Sequence, residues 1–127
     1  MIKISFFKDD RTYGKYASSP KQPSAILVPQ GKYTHLVYGL QLVPETVETE
    51  MHSSMPEHYE GSLIEIPGSP DYGTIVTAVI RDRYTQSQVE AIVLNGSDTE
   101  EHAAEFTALQ DWRKYAKEIA KEVLNLK

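Results

Sequence analysis

The stretch RDRYTQSQVEAIVLNGSDTEEH, residues 81–102, decides what kind of protein this is. Its apolar run, Val89 to Leu94, is of a length at which a buried strand and a short helix look alike. What flanks the run separates the two. Thr85, followed three residues later by Gln88, has the form of a capping box, in which the threonine hydroxyl accepts a backbone N–H and the glutamine amide reaches back to the cap. Asn95-Gly96 closes the run with the residue types that best accept the left-handed backbone ending a helix. The stretch reads as a short helix bracketed by its own stops, and the second half of the chain as a helical unit.

Downstream, Ser97 and Asp98 offer caps, and Glu100 and Glu101 put carboxylates on the positive end of a helix dipole. Leu109, Trp112, Ala116, Ile119, Val123 and Leu126 then recur at three- and four-residue spacing, which predicts a long amphipathic helix. Lys114, Lys117, Lys121 and Lys127 sit toward its negative C-terminal end. The apolar stripe suits either the chain's own core or a second copy. Upstream, Ser69-Pro70-Asp71 has a hydroxyl cap, a proline where helices tolerate it and an acid in the first turn. Tyr72, Ile75, Val76, Val79, Ile80 and Arg83 follow at helical spacing, although Gly73 and the β-branched content keep a strand admissible over 74–80.

Before residue 68 the pattern changes to alternation. Ile2, Ile4 and Phe6 alternate with Lys3, Ser5 and Phe7, and SAILVP (24–29), THLVYGLQLV (34–43) and SLIEIP (62–67) read as further strands. Pro23, Pro29, Pro44 and Pro67 fall at strand ends, where a missing N–H breaks no ladder. In the third strand, strict alternation puts Leu36, Tyr38, Leu40 and Leu42 on one face and His35, Val37, Gly39, Gln41 and Val43 on the other. Apolar residues on both faces mark a central strand. Residues 45–51 fit either a strand extension or a turn of helix. The expected architecture is α+β in a single domain over 1–127: an antiparallel sheet from the mainly β residues 1–67, packed by helices from the mainly helical residues 69–126, including one long amphipathic helix.

Composition narrows the chemistry. The chain has no cysteine, which excludes thiolate catalysis, Cys-ligated zinc and iron–sulfur clusters, and fits a reducing compartment. Net charge is −5, giving no general attraction to phosphate backbones. The charge is unevenly spread: residues 1–33 hold six Lys/Arg against two Asp, residues 34–80 hold seven acids and no Lys or Arg, and residues 81–127 hold seven basic and nine acidic residues. Such asymmetry can orient association between copies or partners, although a solvated acidic belt is the plainer reading. The opening MIKISFFKDDR is too short in apolar residues for a signal peptide, and no run of 18 apolar residues occurs, so the expectation is a soluble protein, cytoplasmic at synthesis and without a membrane partner.

Two stretches carry site-like residues. ETEMHSSMPEHYE, residues 48–60, places His52 and His58 with Glu50, Glu57, Glu60, Met51 and Met55, ligand types for zinc or copper and the basis of an alternative reading as a metal-binding or hydrolytic protein. Its spacing matches no zinc signature, and a solvated acidic loop explains it more simply, so no metal or cofactor is expected. RTYGKY, residues 11–16, interleaves Tyr13 and Tyr16 with basic residues, with Lys8 and Lys21 nearby, a pattern that can stack on unpaired bases. The net acidity of the chain argues against nucleic acid, and a hairpin turn in which Gly14 supplies the tight backbone accounts for the pattern. No G-x-S-x-G elbow or Gly-rich phosphate loop is present, and Asn95-Gly96-Ser97 serves better as a helix stop and cap than as a glycosylation site. A non-enzymatic protein is expected, working by self-association or through a protein partner, with Leu109, Trp112, Ile119 and Val123 as interaction residues.

Residues 72–124 also support a comparison. Ile80, Arg81, Arg83, Tyr84 and Thr85, then Ala91 and Ile92, then Phe106, Trp112, Lys117 and Ala120 form a series that resembles the C-terminal segment of small proteins from tailed-phage and prophage structural gene clusters. The resemblance covers about 40 % of the chain. It departs where Trp112 stands in place of an expected tyrosine, and residues 1–67 have no counterpart in it. It implies a structural or adaptor protein, tail-associated and found with the virion, acting through protein contacts. It carries over no functional residue.

Overall fold

The computed structural model describes residues 1–18, 22–47 and 54–125. The fold class is α+β, with a four-stranded antiparallel sheet in the first half and the long helix near the C-terminus. The chain divides into two compact units, Met1–Ser69 and Pro70–Lys127. Among the described residues no helix is long and apolar enough to cross a membrane.

The sheet unit runs β1 (Ile2–Phe6), α1 (Gly14–Ala17), β2 (Ala25–Gln30), β3 (Tyr33–Val43) and β4 (His58–Pro67), with strand order β1-β4-β3-β2. β2, β3 and β4 form a meander, and β1 returns to pair with β4, Ile2 opposite Leu63 and Phe6 opposite Tyr59. Both edge strands are short, and the one Pro inside an edge, Pro29 of β2, leaves one N–H fewer for an incoming strand. β4 starts at His58, so the end of the acidic stretch belongs to the sheet rather than to a loop.

β3 does not keep the strict alternation expected of it. Tyr38 faces Ser62 and Gln41 faces Glu60, so three steps along β3 match two along β4. The extra residue is accommodated at Gly39, whose φ of +65° is open to glycine at no steric cost. Past this bulge the side chains exchange faces: Leu40 and Leu42 join Val37, not Leu36 and Tyr38. Gly61 lies opposite, and a Cβ there would stand 2.9 Å from Val37 Cγ1 and 3.2 Å from the Tyr38 carbonyl. The strand pairing at the bulge therefore leaves no room for a side chain at position 61.

On that face Phe6, Ala17, Ile26, Val28, Val37, Leu40 and Tyr59 form a buried cluster, with Ile4, Tyr13, Tyr16, Leu42 and Leu63 packed around it. Each fully buried aliphatic side chain of this kind is worth ~1.5–3 kcal/mol of transfer free energy. The segment carrying α1 is folded onto it by Asp10, whose carboxylate accepts the backbone N–H of Thr12 and of Tyr13, both at 2.8 Å. Gly14 is needed for close approach rather than for a hairpin turn, since a Cβ there would fall 2.3 Å from the Lys8 carbonyl oxygen.

The helical unit runs α2 (Tyr72–Arg83), α3 (Gln86–Asn95) and α4 (Glu100–Val123), so residues 74–80 are helix. The cap of α2 is Asp71, whose carboxylate accepts the Thr74 N–H at 2.8 Å, two residues after the expected Ser69. α3 has both halves of the capping box: the Gln88 N–H donates to Thr85 Oγ1 at 3.1 Å and the Thr85 N–H to Gln88 Oε1 at 2.8 Å. Gly96, at φ +57°, ends it. α4 is capped by Thr99, which accepts the His102 N–H at 3.0 Å, rather than by Ser97 or Asp98; Asp98 pairs with the His102 ring instead. α2 and α4 pack together, burying Ile75 and Val79 of the first and Leu109, Ala116, Ile119 and Ala120 of the second.

Candidate interaction surface

The four residues expected to make contacts are largely occupied within the chain. Leu109 and Ile119 are buried, and Trp112 and Val123 are partly so. Trp112 donates its indole N–H to the Val79 carbonyl at 2.9 Å, joining α4 to α2, while the Arg83 guanidinium lies 5.0 Å from its ring centroid and Tyr115 packs at 5.2 Å. A tryptophan held by its ring, its edge and its N–H is an anchor rather than a platform. Burial raises the Tyr115 phenol above its usual range, and the Glu122 carboxylate adds to the effect.

α3 is the contrasting element. None of its residues is buried, Val93 is 52 % exposed and Leu94 is 86 % exposed. Val89 and Ile92 are half-buried, and α3 packs along α4. On one side of α3 a hollow of about 300 Å³ is lined by the apolar Ile80, Val89, Val93 and Leu109 together with Thr77, Gln86, Arg81 and Arg113. Arg113 reaches Gln110 at 3.3 Å, and among the described residues neither Arg81 nor Arg113 has a carboxylate within ion-pairing distance. On its other side a second hollow, lined by Tyr84, Gln88, Ala91, Ile92, Glu105 and Ala108, is apolar apart from Gln88 and one carboxylate. The sequence marked α3 as a helix but not as a surface. The available signal was Leu94, an apolar residue off the Val89/Ile92/Val93 stripe and beside the stop.

The two described histidines of the sheet unit, His35 and His58, both have hydrogen-bonding partners. His35 Nδ1 is 2.8 Å from the Tyr13 hydroxyl and its Nε2 is 3.2 Å from Glu65 Oε2. A carboxylate only accepts, so Nε2 carries a proton, and in the neutral ring Nδ1 then accepts from the tyrosine hydroxyl. The chain of three has the outline of a proton relay, yet burial, helped by Asp10 and Glu65, raises the Tyr13 phenol and keeps it protonated. That shift disfavours a tyrosinate nucleophile and suits a tether between the segment before α1 and the sheet. His58 is buried, its Nδ1 2.9 Å from the Pro56 carbonyl and its Nε2 3.7 Å from Glu60. Glu57, proposed beside it for a metal, pairs with Lys8 at 2.6 Å and raises that ammonium. Among the described residues no three His, Asp or Glu side chains converge to hold a metal. His52, Glu50 and Met51 lie outside the described residues, as does Lys21. Of the two tyrosines considered for base stacking, Tyr13 is bonded to His35, and Tyr16 lies against the core with Lys15 5.0 Å from its ring centroid.

No family model, no curated protein and no solved structure matches this chain.

Proposed function

We propose that this chain is a non-enzymatic adaptor or structural protein that works through contacts made by its helical unit, with α3 as the contact element. The exposure of an apolar helix carries the reading: burying Val93 and Leu94 against a partner removes apolar surface from water, at ~25 cal/mol per Å². The resemblance to tailed-phage and prophage structural-cluster proteins adds a setting, because the span that carries it, residues 72–124, falls within the helical unit Pro70–Lys127. In that setting the protein is associated with tail components and works as a connecting piece.

The test is comparative capture. Immobilised wild-type chain and its Leu94→Lys variant are exposed to an extract of cells expressing the source genome's neighbouring genes, and bound proteins are identified by mass spectrometry. The expected result is a defined protein, or the chain itself, retained by wild type and lost from the variant. Identical retention by both, with circular dichroism showing both folded, would remove α3 from the role.

A further inference from the structure

We infer that the partner of α3 is a second copy of this chain, bound in a two-fold arrangement in which α3 of each copy enters the hollow beside α3 of the other. This deepens the contact reading above and rests on it.

Two adjacent rows of side chains on α3 give the argument. Val89 and Val93, four residues apart, line the hollow together with Ile80 and Leu109, and Arg81 and Arg113 supply its positive charge. Glu90 and Leu94, also four apart and displaced by one position, form the neighbouring row. Leu94 is an exposed apolar knob; Glu90 is an exposed carboxylate that accepts a 3.4 Å bond from the Gln86 side-chain amide. The rows complement each other, since an apolar knob flanked by a carboxylate fits a hollow whose apolar side chains are flanked by two guanidiniums. Because both rows belong to the same helix, the match is self-complementary. One two-fold axis satisfies it twice, with Leu94 of each copy against Val89 and Val93 of the other, and Glu90 of each against Arg81 and Arg113 of the other. A ten-residue helix covers less than a standard interface, so the dimer is weak, with a Kd on the order of 10 µM. The charge component makes it weaker as salt rises.

Sedimentation velocity of the full chain across micromolar concentrations tests this. A reversible dimer is expected, with Leu94→Lys raising its Kd about tenfold or more. Glu90→Arg alone, and Arg81→Glu with Arg113→Glu, each weaken self-association, and mixing those two proteins restores a heterodimer seen by native mass spectrometry, an outcome that general loss of fold could not give. A wild-type chain that stays monomeric throughout, or a dimer indifferent to Leu94→Lys, overturns the inference. A monomeric chain that still captures a different protein through Leu94 overturns the dimer and leaves the contact reading standing; a monomeric chain with no Leu94-dependent capture ends both.

Discussion

β3 and α3 both carry dense apolar runs, and the chain treats them in opposite ways. β3 buries Leu36, Val37, Tyr38 and Leu40, with side chains on both faces, and uses a bulge to do so. α3 has no fully buried residue, although it is capped at both ends as completely as any helix here. Local rules therefore make α3 a helix, while its exposed Val93 and Leu94 contribute little to holding the chain folded. A segment well specified by its caps and poorly used by the core is free to serve an external contact.

Substitutions can break that contrast, and the largest effect belongs to the sheet. Leu40→Ala removes a buried side chain from the cluster around Phe6 and Tyr59 and should cost about 2–5 kcal/mol in urea-denaturation stability. Gly61→Ala pushes a methyl into Val37 and the bulge backbone and should cost about 1–3 kcal/mol, with the amide shifts of Tyr38 to Gln41 moving most in NMR. In the helical unit, Thr85→Ala deletes the capping box and should cost about 1 kcal/mol, read as lost helicity by circular dichroism.

Acid gives a smaller effect. Asp71 accepts the Thr74 N–H, which holds its carboxyl below the ordinary value of 3.8. A folded-state value lowered in this way adds stability that is present above the unfolded value and disappears as pH falls through the folded one. Asp71→Asn should therefore differ from wild type near neutral pH and converge with it in strong acid, as measured by helicity against pH. Smallest of all, Leu94→Ala in dilute solution should change stability by no more than about 0.5 kcal/mol. A large cost there would mean that α3 is part of the core, and the contrast with β3 would collapse.

Much of this was legible in the sequence, and where it was not the reasons are physical. The α3 stops are local signals legible in the sequence itself, as is the long stripe of α4. Cap positions slipped at α2 and α4 because several cap-forming residues stand in a row, and which hydroxyl or carboxylate meets the free N–H groups depends on the backbone entry angle. The bulge in β3 was missed because both faces of that strand are apolar, so a one-residue slip leaves the pattern intact; only Gly39 inside a strand hinted at it. The Tyr13–His35–Glu65 bonds join residues far apart in sequence and leave no periodic trace. The α3 surface escaped notice because an apolar run says that burial is favourable, not that the chain itself provides it.

The outer strands set one more constraint. The margins of a sheet present unpaired backbone N–H and C=O groups to which another chain can add a strand. Here β1 spans five residues and β2 carries the pyrrolidine ring of Pro29, so neither margin offers a long, regular ladder for another chain to join. Fibre growth by strand addition is discouraged at both ends of the sheet.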